Sequence, residues 1–201
     1  SANQTPTAEN DEAETPANTP VDIAVTVSDG DPDGDAFFVI DDSDTAVHGF
    51  IECVATSGDR CSVIQFTPEF AYVGPASFTY TISDGIATDI AEVTITVTNT
   101  APVANDDVTG TQPETFIDIF IIGNDVDPDQ QSIQMTLFDS ESELVTAHGF
   151  IQCGQNFGSG CAAVRYTPES GFSGIDTFTY QVTDGELLSN TATVTIFVRE
   201  L

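Results

Sequence analysis

Apolar and polar residues alternate with a period of two in a series of short runs, and turn residues separate the runs. Val21-Asp22-Ile23-Ala24-Val25-Thr26-Val27 places its odd-numbered positions on one buried face. Phe78, Tyr80 and Ile82 do the same further on, and Glu92-Val93-Thr94-Ile95-Thr96-Val97 closes the pattern. In the first half this predicts seven strands, near 7–13, 21–27, 36–40, 48–54, 62–67, 76–82 and 90–98. Phe50, Phe66, Phe78, Tyr80 and their counterparts in the second half are expected in the core. No segment of 10 or more residues shows a 3.6-residue period. The pattern describes an all-β protein built from β-sandwiches.

The second half repeats the first. Pro6 meets Pro102, Ala8 meets Ala104, Asp11 meets Asp107 and Asp29 meets Asp125, an offset of 96. From the middle onward the offset is 100: His48-Gly49-Phe50-Ile51 meets His148-Gly149-Phe150-Ile151, and Asp84-Gly85 meets Asp184-Gly185. The four extra residues fall in the acidic stretch Asp139-Ser140-Glu141-Ser142-Glu143. A period of about 100 residues is that of an immunoglobulin-sized domain rather than a solenoid unit. Two domains are expected, 1–99 and 100–201, joined at Thr98-Asn99-Thr100-Ala101-Pro102 by a linker too short to act as a free tether.

Charge narrows the partners. The 201 residues carry 33 acids against three arginines and no lysine, a net charge of −30. Nucleic acid phosphates and anionic membrane surfaces repel such a chain, and divalent cations are drawn to it. No apolar run approaches the roughly 20 residues of a membrane-crossing helix. The chain opens in a polar stretch and is expected to be a mature or excised piece of a longer secreted protein, extracellular or at the cell surface.

Each copy has two cysteines, Cys53 and Cys61, then Cys153 and Cys161, with seven residues between each pair. Four cysteines allow three pairings, and the within-copy pairing is the one that respects the repeat. Closing each loop contributes about 2–3 kcal/mol in the chain-entropy model and implies an oxidising compartment. The rival is zinc, since His48 and His148 lie five residues before Cys53 and Cys153. Two thiolates and one imidazole fall short of the usual four ligands, and a histidine that begins a strand is expected to be structural.

The candidate chemistry lies in two acidic loops. The first reads Ser28-Asp29-Gly30-Asp31-Pro32-Asp33-Gly34-Asp35; the second reads Asn124-Asp125-Val126-Asp127-Pro128-Asp129-Gln130-Gln131. Neighbouring carboxylates repel by about 1 kcal/mol per pair at ~4 Å even in water. A cation relieves that repulsion, and hard oxygen donors on a flexible loop select calcium. Asp29, Asp31, Asp33 and Gly34 match the opening of an EF-hand loop, but its twelfth position is Ile40 rather than glutamate. The remaining ligands must come from elsewhere. The candidates are Asp11 and Asp84 in the first copy, and Asp107, Asp184 and the linker's Asn99 in the second. The bland alternative is a set of solvated turns, since Asp-Gly and Asp-Pro are ordinary turn pairs.

Five ordered motifs carry a resemblance: Thr100-Ala101-Pro102-Val103-Ala104-Asn105-Asp106-Asp107, Asn124-Asp125-Val126-Asp127-Pro128-Asp129, His148-Gly149, Tyr166-Thr167-Pro168, and Gly171 to Tyr180 followed by Thr183-Asp184-Gly185. Together they resemble the bacterial cadherin-like or Ig-like tandem repeats of large secreted adhesins and surface proteins. The resemblance covers both copies nearly end to end. It implies tandem Greek-key sandwiches of about seven strands each, calcium near the domain junctions, and a part in extended stalks or adhesion. The implied partners are neighbouring repeats of the same chain or like molecules. Copy two departs from copy one in having Gln130-Gln131 for Gly34-Asp35, and Asp176 for Ala76.

An enzyme is not expected. The two histidines occupy equivalent positions, and no serine elbow, phosphate-binding loop or metalloprotease helix is present. Calcium-dependent binding of a polysaccharide or cell-surface ligand, and self-assembly into filaments through sheet edges, are the alternatives to a calcium-stiffened spacer.

Overall fold

The computed structural model describes residues 2–41, 46–56, 61–136, 144–153, 161 and 163–200. The acidic stretch at 139–143 lies outside the described residues. The chain splits into two compact units, Ser1–Asn99 and Thr100–Leu201.

Unit 1 contains β1 (Asp11–Pro16), β2 (Val21–Ile23), β3 (Phe38–Asp41), β4 (Gly49–Thr56), β5 (Cys61–Pro68), β6 (Gly74–Ser83) and β7 (Thr88–Thr98). One face is β1-β7-β6 and the other is β2-β5-β4; β3 pairs with both β6 and β5 and so joins them. The alternation read from the sequence holds where strands are long. In β7 every second residue from Ala91 to Val97 is buried, and in β6 so are Ala76, Phe78, Tyr80 and Ile82. These side chains pack with Val25, Ile64 and Phe66 into one core.

Three expectations are corrected. The strand expected at 21–27 ends at Ile23; Val25 is buried, but the chain then turns and Val27 is 82% exposed. The first strand begins at Asp11 rather than near 7, because residues before it pair only through the single bridge Thr7–Gly30. Phe50 and Phe150 are not core residues: Ile51 and Ile151 take the inward positions of their strands, which leaves both rings on the outer face.

Unit 2 contains β8 (Asp107–Thr111), β9 (Ile117–Ile119), β10 (Gln134–Met135), β11 (Leu144–Val145), β12 (Gly149–Cys153), β13 (Val164–Pro168), β14 (Gly174–Tyr180), β15 (Val182–Thr183) and β16 (Ala192–Val198). Its sheets run β11-β12-β13-β9, β14-β16-β8 and the small pair β10-β15. In both units the first strand lies parallel to the last: Asp11 is opposite Val93, and Asp107 is opposite Val194. That register raises the repeat offset to 101 at the end of the chain, one residue more than the 100 read from the sequence. Cys53–Cys61 and Cys153–Cys161 are disulfide-bonded, with Cα atoms 5.8 and 5.6 Å apart, so no thiolate is left for zinc.

The histidines are structural in geometry. His48 stacks on Tyr72 with ring centroids 4.1 Å apart, and His148 stacks on Phe172 at 4.2 Å. The carbonyls of His48 and His148 accept hydrogen bonds from the N–H groups of Glu69 and Glu169.

Candidate metal centre

Each unit gathers its acidic loop, the entering chain and one buried tyrosine at the same place. In unit 1, Thr7 and Gly30 exchange backbone hydrogen bonds of 2.7 and 3.0 Å; in unit 2, Val103 and Val126 do so at 2.8 and 3.0 Å. The entering segment is thereby stitched onto the loop.

Within the loop the carboxylates divide the work. Asp31 Oδ1 accepts the N–H groups of Asp33 (2.8 Å) and Asp35 (3.2 Å), which curls the loop around it. Asp127 Oδ1 does the same for Asp129 (2.8 Å) and Gln131 (3.1 Å). Asp33 holds the chain entry, accepting from the backbone N–H of Gln4 at 2.6 Å and from its side chain at 2.8 Å. Asp129, 2% exposed, accepts from the N–H of Thr100 at 2.5 Å. Asp31, Asp33 and Asp35 each offer an oxygen within 4.8 Å of the others.

Asp11 and Asp29 turn to Tyr80 instead. Five acceptor oxygens surround its hydroxyl: Val25 O at 2.8 Å, Glu9 O at 3.0 Å, Asp29 Oδ1 and Oδ2 at 3.0 and 3.2 Å, and Asp11 Oδ2 at 3.2 Å. Tyr180 repeats this with Ile121 O at 2.7 Å, Asn105 O at 3.0 Å, Asp107 Oδ2 at 3.1 Å and both oxygens of Asp125 at 3.0 and 3.1 Å. A hydroxyl has one proton to donate, so two carboxylates in each unit are pressed into a cluster richer in acceptors than in donors. Sequence reasoning missed both tyrosines. The available signal was that a tyrosine on a buried face needs a partner for its hydroxyl.

Asp84 and Asp184 are turn residues first. Asp84 Oδ1 accepts from Ile86 and Ala87 N–H, and Asp184 Oδ1 from Glu186 and Leu187 N–H, all at 2.7 Å. Asp84 Oδ2 also accepts from Asn3 Nδ2 at 2.8 Å, and its charge is felt at Asp33, so it borders the loop of unit 1. Asn99 is the last residue of unit 1 and Thr100 opens unit 2.

Two atoms test whether this arrangement fits a cation. Asp31 Oδ2 and Asp127 Oδ2 are buried, and neither receives a hydrogen bond among the described residues. They occupy equivalent places in the two loops. A buried carboxylate oxygen without a donor is costly, and a bound cation satisfies it. A surface recess lined by Thr7, Glu9, Ser28, Gly30, Asp31 and Pro32 gives access in unit 1. Every donor atom in either loop is oxygen, the set that suits calcium.

Electrostatics give the metal-free protein a definite pH response. Burial raises the Asp29 carboxyl above its ordinary value, and burial raises Asp107 likewise. The Tyr80 and Tyr180 hydroxyls are pushed well above the phenol range, by burial first and by their carboxylate neighbours second. Asp33 is lowered by the Gln4 hydrogen bonds, and Asp84 by the N–H of Ala87 and then by Asn3. For the raised pair, the folded state binds protons more tightly than the unfolded one, so stability grows as pH falls from neutral. For the lowered pair, stability present above the ordinary carboxylate range is lost below it. Calorimetric melts in chelator should therefore show Tm rising as the pH falls from neutral toward the carboxylate range, then falling once the pH drops below that range. A steady fall from pH 7 would contradict the assignment.

The fold and these corners define a class: tandem β-sandwich domains, each with an acidic corner at its chain entry. A family model described as Bacterial Ig domain matches residues 3–96 and 99–197, and the chain belongs to that family as two tandem copies. No curated protein matches the chain. Among solved structures, it is similar to the endo-fucoidan hydrolase MfFcnA4_H294Q from glycoside hydrolase family 107, at 21% identity over 96% of this chain and 28% of that one, with a TM-score of 0.39. It is similar to human protocadherin-24 EC1-2, at 11% identity over 95% of both chains with a TM-score of 0.39. Drosophila OTK extracellular domains 3-5 match at 10% identity over 98% of this chain and 60% of that one, with a TM-score of 0.43. The chain spans under a third of the length of the hydrolase it matches. Domains of this family are typically extracellular and non-enzymatic, and serve as structural or adhesive segments. Among the described residues no helix is long and apolar enough to cross a membrane.

Proposed function

We propose that this chain is a calcium-binding repeat pair that acts as a stiffened structural or adhesive segment of an extracellular protein. The observation that carries the reading is the duplicated orphan oxygen, Asp31 Oδ2 and Asp127 Oδ2. In unit 1 the ligands would be drawn from Asp31, Asp33 and Asp35, with Asp11 and Asp29 supplying charge from the Tyr80 cluster. In unit 2 they would be drawn from Asp127 and Asp129, with Asp107 and Asp125 around Tyr180. Bound calcium neutralises carboxylates that otherwise repel. The stiffening follows from what the loops already hold. Asp129 anchors Thr100, and β7 ends at Thr98, so a loop fixed by calcium leaves one residue of chain before the next unit's anchor.

Isothermal titration with calcium tests this. The Asp31→Ala variant should lose binding in unit 1 and keep it in unit 2, and Asp127→Ala should do the reverse. Either variant matching the wild type in affinity and stoichiometry refutes the reading.

A second reading, binding of a polysaccharide, is favoured by the outer face of β11-β12-β13-β9. Phe116 and Phe150 are 53% and 38% exposed there, and the Arg165 guanidinium lies 4.0 Å over the Phe116 ring. Arg165 also pairs with Asp118 at 2.8 and 2.9 Å. Unit 1 has Pro20 and Gln65 where unit 2 has Phe116 and Arg165. With Arg165 neutralised and the chain at −30, the matching ligand is an uncharged glycan stacked on phenylalanine. Affinity electrophoresis in neutral polysaccharides should retard the wild type and not Phe116→Ala/Phe150→Ala. Equal mobility of the two in every gel removes this reading.

A further inference from the structure

Among the described residues of unit 2, one carboxylate outside the acidic loop is buried. Asp176 is 2% exposed and stands on β14 opposite Ile196 of β16. Its Oδ2 accepts from Thr146 Oγ1 at 2.5 Å, Tyr166 OH at 2.8 Å and the N–H of His148 at 3.2 Å. Its Oδ1 accepts from the N–H of Thr177 at 2.9 Å. Tyr166 is itself fully buried. The cluster is complete: each side-chain hydroxyl has its acceptor, and the carboxylate has four donors.

Unit 1 has none of the three polar side chains. At an offset of 100 residues, Thr146, Tyr166 and Asp176 stand where unit 1 has Ala46, Phe66 and Ala76. Those three belong to the apolar core of unit 1, with Phe66 at 0% and Ala76 at 4% exposure. The positions have changed as a set, inside stretches that are otherwise near copies: His-Gly-Phe-Ile at 48–51 and 148–151, Thr-Pro-Glu at 67–69 and 167–169, and Phe-Thr-Tyr at 78–80 and 178–180. Such similarity between adjacent repeats is a folding hazard, because a strand of one repeat fits the sheet of the other.

We propose that Thr146, Tyr166 and Asp176, set against Ala46, Phe66 and Ala76, form a pairing address that keeps each repeat's strands in their own repeat. If β14 entered unit 1 in place of β6, Asp176 would be buried against Ala46 and Phe66 with two of its donors gone. If β6 entered unit 2, Ala76 would leave the Thr146 hydroxyl without its carboxylate and the Tyr166 hydroxyl with only the long 3.4 Å contact to the His148 carbonyl. Both exchange products leave buried polar groups short of hydrogen-bond partners, while the native pairing satisfies them at these positions. A buried polar cluster used for specificity rather than net stability is an attested device.

The test uses the full chain with its disulfides intact, refolded from urea. The variant Thr146→Ala/Tyr166→Phe/Asp176→Ala gives unit 2 the apolar set. The reverse transplant Ala46→Thr/Phe66→Tyr/Ala76→Asp gives unit 1 the polar set. Size-exclusion counts exchange between chains as dimer, and amide exchange of β6 and β14 by mass spectrometry counts exchange within a chain. Both variants should fold, and the exchanged fraction should rise roughly tenfold over wild type in each. An unchanged fraction in both variants overturns the proposal. So does an apolar variant that cannot fold, because unit 1 folds with that same set.

Discussion

Replacing Gly49 or Gly149 with alanine should unfold the affected unit under conditions where the other stays folded. A Cβ at Gly49 would lie 2.3 Å from the Phe66 ring and 2.7 Å from the carbonyl oxygen of Thr67; at Gly149 it would lie 2.6 Å from the Tyr166 ring and 2.7 Å from the carbonyl oxygen of Thr167. Neither neighbour can retreat. Phe66 and Tyr166 are fully buried, and the carbonyls belong to strands paired with β4 and β12. Overpacking against a ring and a backbone at once should cost about 3 kcal/mol or more and lower that unit's Tm by more than about 10 °C. Gly30→Ala is the control. Nothing lies within 4 Å of its Cβ position, and the change should stay within about 0.5 kcal/mol. Equal melts for Gly49→Ala and Gly30→Ala would show that the close approach is misplaced.

Removing calcium should produce the other large effect. A site held at 100 times its Kd stabilises its unit by about 2.7 kcal/mol. In a domain of this size that corresponds to roughly 10–20 °C in Tm. Calorimetry in millimolar calcium and in chelator should show a shift of that size for both units. Asp31→Ala should remove the shift from unit 1 alone, and Asp127→Ala from unit 2 alone. Magnesium should substitute poorly, because it keeps its water and demands a tighter octahedron than these loops supply. Identical melts with calcium and chelator would leave the acidic corners as solvated turns.

The fold was legible because alternation is a direct imprint of a two-faced sheet. β6 from Ala76 to Ile82 and β7 from Ala91 to Val97 follow it residue by residue, and the repeat supplied a second reading of the same pattern. What was not legible depends on partners distant in the chain. The parallel seating of β1 on β7 and of β8 on β16 leaves no mark in local periodicity. Val27 continues the alternation of β2, yet the backbone turns before reaching it. Phe50 and Phe150 look like core residues by type, and only the phase of their strands puts Ile51 and Ile151 inside instead.

At the candidate site the residue types were legible and their division of labour was not. Spacing brought Asp31, Asp33 and Asp35 into one group, but it could not say that Asp33 also accepts from Gln4 or that Asp84 serves a turn. Those outcomes turn on which backbone N–H reaches which oxygen. The Ala76–Asp176 difference was visible as an isolated departure between the copies. Its meaning appears only when Thr146 and Tyr166 are seen around the same carboxylate.

Calcium binding rests on two atoms, Asp31 Oδ2 and Asp127 Oδ2. Crystals grown in millimolar calcium, measured at a wavelength where calcium scatters anomalously, test it directly. An anomalous peak is expected about 2.3–2.6 Å from Asp31 Oδ2, and another at the same range from Asp127 Oδ2. Density at both oxygens that refines as water, with no anomalous signal, would contradict it.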